Sequence, residues 1–202
     1  MVFGLASSAS AARAVVGPSG AAGDISTAEE AIDALTALLP ELTPVTGGGQ
    51  LADVPECDGV AAADALASEA GGLLQSYGGE SGGGSGQIVV FGSKKSAKRF
   101  FKLGTNADAE ACTVATTEVG LAPLSGGAPA APDLTRGRLA GVKGSATLRG
   151  TITLGDLEIL ETEAVVRRGT VVIRGNMGEF ATAGAGLEAI ITDWVKSTAK
   201  QF

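Results

Sequence analysis

Apolar residues first recur at helical spacing at Ile32, Leu35, Leu38 and Leu39. Ser26 and Glu29 precede them as a capping-box pair, and Pro40 closes the segment, so a helix is expected from Ser26 to Pro40. Residues 40–56 read as a loop carrying Pro40, Pro44, Gly47–Gly49 and Pro55, and the alanine-rich stretch 60–70 reads as one short helix. Leu73–Tyr77 and Gln87–Phe91 read as strands on either side of a glycine loop, 78–86. The run Ile88-Val-Val-Phe91 is nearly continuous in apolar residues, as expected of a central strand covered on both faces. Ser93 then caps a helix through about Ala111, with Ala97, Phe100 and Phe101 on its apolar side and Gly104 and Asn106 as points of weakness. Cys112–Val119 reads as a further strand, and residues 120–145, with Pro123, Pro129, Pro132 and several glycines, as a long surface excursion. Ala146–Leu154, Leu157–Arg167 and Thr170–Arg174 read as strands, the last two joined by a tight Arg168–Gly169 hairpin. A terminal helix from about Phe180 carries Leu187, Ile190, Ile191, Trp194, Val195 and Phe202 on one stripe, opposite Glu188, Asp193, Lys196 and Lys200.

This order predicts an α+β domain: a twisted antiparallel sheet of about five to six strands with three or more packed helices. At 202 residues the chain is long enough for one domain, placed at 25–202. Residues 1–24, rich in Ala, Ser and Gly, read as a flexible lead-in or tether. Arg13 follows the apolar stretch where a signal peptide would have its charge in front, and no lipobox cysteine lies near Met1. No apolar run approaches the roughly 18 residues that a membrane helix needs.

Composition narrows the chemistry further. The net charge is −7, a poor match for nucleic acid, whose binding draws on phosphate neutralisation. The chain has no histidine, which removes Ser–His–Asp and Cys–His nucleophile pairs and histidine-ligated metal sites. Neither a catalytic residue, nor a metal site, nor a cofactor is expected. Gly79-Glu-Ser-Gly-Gly83 spells a nucleophile elbow, but it sits in a glycine tract between strands with no histidine to take the serine proton. Gly184-Ala-Gly-Leu-Glu-Ala189 spells part of a dinucleotide fingerprint, yet only one helix follows it. Gly92-Ser93-Lys94 follows a strand but lacks the upstream glycine and the Gly-Lys-Ser/Thr step of a phosphate loop. Glu158, Glu161 and Glu163 alternate with apolar residues and read as the wet face or polar edge of a strand. Trp194 belongs to the core stripe.

Two features stand above this background. Cys57 and Cys112 are the only cysteines, 55 positions apart. Without a third cysteine or a histidine they cannot complete a zinc site, which leaves a structural disulfide or two buried thiols. The disulfide is the preferred reading: it would tie the loop before the first strand to the end of the second helix, and it points outside the cytosol. Lys94, Lys95, Lys98, Arg99 and Lys102 form a cation cluster with no acid among them. They read either as a solvated helix face or as an anion-binding patch facing phosphate, carboxylate or lipid headgroups.

The strand and helix Gln87-Ile-Val-Val-Phe-Gly-Ser-Lys-Lys-Ser-Ala-Lys-Arg-Phe-Phe101, followed by Cys112, Ala164-Val-Val-Arg-Arg-Gly-Thr-Val-Val-Ile173 and a terminal amphipathic helix, resembles actinobacterial sensor-domain lipoproteins. These are similar to the extracellular sensor domain of mycobacterial receptor serine/threonine kinases. Leu39-Pro40 and Pro55-Glu56-Cys57 extend the resemblance upstream, to about residues 26–200. It implies a non-catalytic extracytoplasmic domain, secreted or at the cell envelope, with a cleft for a small molecule or envelope component and a place in a membrane complex. The chain departs from the kinase sensor in having cysteines for one disulfide where that domain has two, and no ligand residue carries over. The competing expectation is a structural subunit of an envelope or virion complex, with residues 1–24 and 120–145 as interaction arms. A hydrolase working through carboxylates alone ranks third.

Overall fold

The computed structural model describes residues 22–45, 54–184 and 186–202. Among them the first half of the chain forms α1 (Ala22–Leu38), β1 (Thr43–Val45), α2 (Asp58–Glu69), β2 (Gly71–Gly78), β3 (Gly82–Val90) and α3 (Lys94–Leu103). The second half forms α4 (Ala107–Ser125), β4 (Ala130–Gly137), β5 (Ser145–Leu154), β6 (Leu157–Arg168), β7 (Val171–Phe180) and α5 (Leu187–Thr198). A single 3-10 turn, Pro55–Cys57, leads into α2. Two tight turns order the second half: Gly155 (φ 60°) joins β5 to β6 and Gly169 (φ 56°) joins β6 to β7, both in the left-handed region that glycine tolerates. Every strand pair is antiparallel, in the spatial order β1-β2-β3-β7-β6-β5-β4. Among the described residues the sheet thus has seven strands where five to six were expected.

Helices cover both faces of the sheet. On one face α1 and α5 bury Ile88, Val90, Ala164, Val166, Val171 and Ile173 beneath Leu35, Ile191 and Val195. Trp194 donates its Nε1–H to the carbonyl of Ala31 at 2.7 Å, locking α5 to α1. On the other face α2 and α3 bury Val89, Phe91, Val165 and Val172 beneath Ala63, Ala97 and Phe100. α4 covers β4 and β5, with Leu121 against Ile152, Leu154 and Ile159.

Several expected boundaries shift for identifiable reasons. α1 begins at Ala22, ahead of Ser26, and residues 1–21 lie outside the described residues, as do 46–53 of the expected loop. The helix expected from Ser93 to Ala111 is two helices. Ser93 Oγ accepts from the amide of Ser96 to start α3, and Asn106 Oδ1 accepts from the amide of Ala109 to start α4. Cys112–Val119 is helical, not a strand. The Thr113, Thr116 and Thr117 hydroxyls bond back to carbonyls four residues earlier, at 3.1, 2.8 and 2.8 Å. Asp108 and Glu110 complement the dipole of the first turn of α4. The expected excursion 120–145 is structured over much of its length, as the end of α4 and edge strand β4. The last helix starts at Leu187, because β7 continues to Phe180.

The glycine tract is the clearest correction. Gly82–Gly86 is not a loop but half of β3, and only residues 79–81 turn. Glycine is required where α1 and α5 press onto the sheet. A Cβ on Gly86 would meet Leu35 Cδ2 and Trp194, and one on its cross-strand partner Gly175 would lie 2.5 Å from Ile191 Cδ1. Gly86→Val is therefore expected to lower stability by about 1–3 kcal/mol through overpacking, read as a lower urea midpoint with unchanged slope.

Candidate functional site

The face of the sheet beneath α2 and α4 changes character along its strands. Near the α3 end it is apolar (Val89, Val165, Val172), but further along the same pleat it carries Ser85 and Gln87 on β3, Glu161 and Glu163 on β6, and Arg174 and Asn176 on β7. Side chains two residues apart share a face, and the Gly169 turn sets the register that pairs Glu163 with Asn176 and Val165 with Arg174. Between this floor and the helices lies a cavity of about 110 Å3. Val60 and Asp64 of α2, and Ala109, Cys112, Thr113, Thr116 and Thr117 of α4, close it from above. A second cavity, of about 220 Å3, opens on the other flank of Ala109 between the start of α4 and strands β4, β5 and β6. Arg174 lines the first cavity and Glu163 the second, so the ion pair between them divides the two.

Cys57 and Cys112 are bonded. Cys57 is the N-cap of α2 and Cys112 lies in the second turn of α4, so the bridge staples together the two helices that roof the smaller cavity. This corrects the expected placement: the second partner is the body of a helix that begins beyond α3. Val60 and Ala109 pack around the bridge.

The expectation that Glu161 and Glu163 face water is overturned: they are only 5% and 4% exposed, while Glu158, near the strand's start, is exposed. Arg174 Nε lies 2.7 Å from Glu163 Oε1. Glu163 raises the pKa of the Arg174 guanidinium further, against the opposing effect of burial. Glu161 has no comparable partner: its hydrogen bond is a 3.5 Å contact from Asn176 Nδ2, and Asn176 is itself oriented by Ser85 Oγ donating to Oδ1 at 3.0 Å. Burial, then the neighbouring Glu163 charge, push Glu161 up from the usual 4.5 to about 8. Burial also raises Asp64, with Arg174 opposing.

Because Glu161 is protonated in the fold at pH values where the unfolded chain has already lost the proton, its contribution to stability is fullest below about 4.5. It is lost as pH rises to about 8. Glu161→Gln, neutral throughout, is expected to be more stable than the parent at pH 7 and to flatten the fall in stability across that window. Urea unfolding at pH 5 and pH 8 checks this.

The five cations Lys94, Lys95, Lys98, Arg99 and Lys102 are all exposed on α3, above buried Ala97 and Phe100. None of them forms an ion pair among the described residues or lines either cavity. The structure thus keeps the patch together but apart from the cavities. The dinucleotide-like glycines precede α5, whose first amides, on Gly186 and Leu187, donate to the buried carboxylate of Glu179 at 3.1 and 2.9 Å. A phosphate there would meet a negative charge in its place. Ser81 of the elbow-like string sits in the β2–β3 turn.

Asp64, Arg174, Asn176 and Gln87 were not singled out from the sequence. The usable signal was the hairpin register: counting outward from Arg168–Gly169 places Arg174 and Asn176 on the same face as Glu161 and Glu163.

No family model matches the chain, and no curated protein matches it. Among solved structures it is similar to the extracellular domain of PknH from Mycobacterium tuberculosis, with 13% identity over 87% of this chain and 97% of that one and a TM-score of 0.46. A likeness of that extent carries no residue's role across. Among the described residues, no helix is long and apolar enough to cross a membrane.

Proposed function

We propose that the chain is an extracytoplasmic, non-catalytic binding or sensing domain whose receptor site is the cavity between the sheet and the disulfide-stapled pair α2 and α4. The observation that carries this reading is the polar cavity itself, about 110 Å3 with a 5%-exposed carboxylate, Glu161, in its wall. Buried polar groups are costly unless partnered, and sites where they gather around a cavity are where ligands complete the pairing. The extracytoplasmic part rests on the bridge, because disulfides persist where thiols are not kept reduced. The non-catalytic part rests on the absence of histidine from the whole chain: Glu161 and Asp64 would have to carry any proton transfer alone.

The test is native mass spectrometry of the protein purified under non-denaturing conditions from its native host, beside the variant Thr113→Phe, which fills the cavity from α4. A small-molecule adduct on the parent, absent from the variant, is the expected result. Adducts on neither, or equally on both, would remove the cavity as the receptor site.

The α3 cation face is a second contact surface in this reading, suited to the anionic headgroups of an envelope membrane. Replacing Lys95, Lys98 and Lys102 by Gln is expected to weaken binding to vesicles containing phosphatidylglycerol at least fivefold in 50 mM salt while leaving the unfolding midpoint unchanged. Vesicle co-sedimentation and urea titration report the two quantities separately.

A further inference from the structure

The chemistry of the cavity also indicates what it holds. Resting on the reading above that this cavity is the receptor site, we infer that it takes a small organic cation, a primary ammonium group, seated between Glu161, Asp64 and the threonine oxygens of α4.

Three observations support this. The first is charge. Three carboxylates, of Asp64 (α2), Glu161 and Glu163 (β6), face one base, Arg174 (β7), which is engaged with Glu163 at 2.7 Å. Glu161 is 95% removed from solvent, lines the cavity and has only the 3.5 Å contact from Asn176. It lacks a cation of its own.

The second is the direction of the hydrogen bonds. Thr113, Thr116 and Thr117 line the cavity and spend their hydroxyl protons on carbonyls of α4, which leaves their oxygens only as acceptors. Asn176 spends its Oδ1 on Ser85 and an amide proton on Glu161. The Asp64 carboxylate and the three threonine oxygens are thus the polar side-chain groups on the helix side, all acceptors, and an ammonium, with three donors and no acceptor, complements them.

The third is size. A volume of about 110 Å3 is smaller than the roughly 150 Å3 that admits benzene, which limits the buried part of the ligand to about four or five non-hydrogen atoms. A metal ion does not suit the same groups: among the described residues no three Asp, Glu, His or Cys side chains converge as metal ligands. Because Glu161 holds its proton up to about pH 8, seating a cation releases that proton, so affinity strengthens as pH rises from 6 to 8.

The experiment titrates ethanolamine into the full chain, followed by NMR chemical shifts and calorimetry, beside its neutral isostere ethylene glycol and the anion acetate. Ethanolamine is expected to bind at least tenfold tighter than either and to gain affinity between pH 6 and pH 8. It is expected to lose at least tenfold on Glu161→Gln, a variant that keeps the side chain's shape and unfolds no earlier than the parent. Asp64→Asn is the second variant, expected to lose a smaller factor. Vesicles of phosphatidylethanolamine against phosphatidylcholine form a further arm that distinguishes a lipid-borne ammonium from a free one. Tighter binding of ethylene glycol or acetate, or undiminished ethanolamine binding by Glu161→Gln, overturns the cation while leaving the cavity as a receptor site. Silence of ethanolamine in both the free and lipid arms also overturns the cation, whereas the receptor reading stands or falls on the adduct and its loss in Thr113→Phe.

Discussion

Replacing Cys57 and Cys112 together by serine is expected to lower the unfolding free energy by about 4 kcal/mol, because the bridge closes a 55-residue separation whose freedom the unfolded chain would otherwise recover. That is a large part of the total stability of a domain this size. The loss should also be local. The bridge fixes the N-cap of α2 to α4, and no other covalent link holds these two helices over the sheet. Hydrogen exchange in the reduced or doubly substituted protein should therefore rise first in α2 and the first turns of α4. The Trp194 indole bond to Ala31, on the far face, should persist until global unfolding. Any ligand held under the helices should weaken in the same variant before the fold is lost. A double variant that loses less than about 1 kcal/mol, or that exchanges uniformly, would mean that packing around Val60 and Ala109 holds the roof without the sulfur link.

The disulfide and the sheet's antiparallel character are legible from the residues, because each follows from a strong local rule: two lone cysteines without histidine, and hairpins around glycine. The cavity is not legible, and the cause is one misread element. Thr113, Val114, Thr116 and Thr117 are residues that favour strands, and so they point to a strand at Cys112–Val119. The Asn106 cap and the back-bonded hydroxyls make that stretch a helix instead. Without α4 the helices α2 and α3 cover only part of the second face, and a period-two strand with Glu161 and Glu163 on one side then reads as facing water. Once α4 is a helix the same alternation places both carboxylates underneath it. The glycine tract fails for a related reason. Composition alone says turn, whereas Gly84 and Gly86 are needed in β3 because Met177, Leu35 and Trp194 approach too closely for any side chain. Local pattern gives the period of an element, but not what will cover it.

Arg174→Met tests the centre of that covered face and is expected to cost about 3–5 kcal/mol at pH 7. Met fills nearly the same volume, so the loss measures charge more than packing. The Arg174 side chain is 18% exposed and that of Glu163 6%, and removing the cation leaves Glu163 buried beside Glu161 without its ion-pair partner, since Arg136 across the second cavity is engaged with Glu110. The reverse change, Glu163→Gln, should cost less, because Arg174 then retains Glu161, whose proton it can displace by bringing the Glu161 pKa down from about 8. The two variants should also differ in their response to acid. In Arg174→Met Asp64 and Glu161 lose the guanidinium that opposes the rise of their pKa values, so the deficit against the parent should shrink between pH 7 and pH 5. In the double variant Arg174→Met/Glu163→Gln the buried charge is gone from both sides, and much of the lost stability should return. Urea unfolding of the four proteins at the two pH values completes the cycle. A deficit that is independent of pH and not recovered in the double variant would show that Arg174 serves as packing between the two cavities and that the ion pair contributes little.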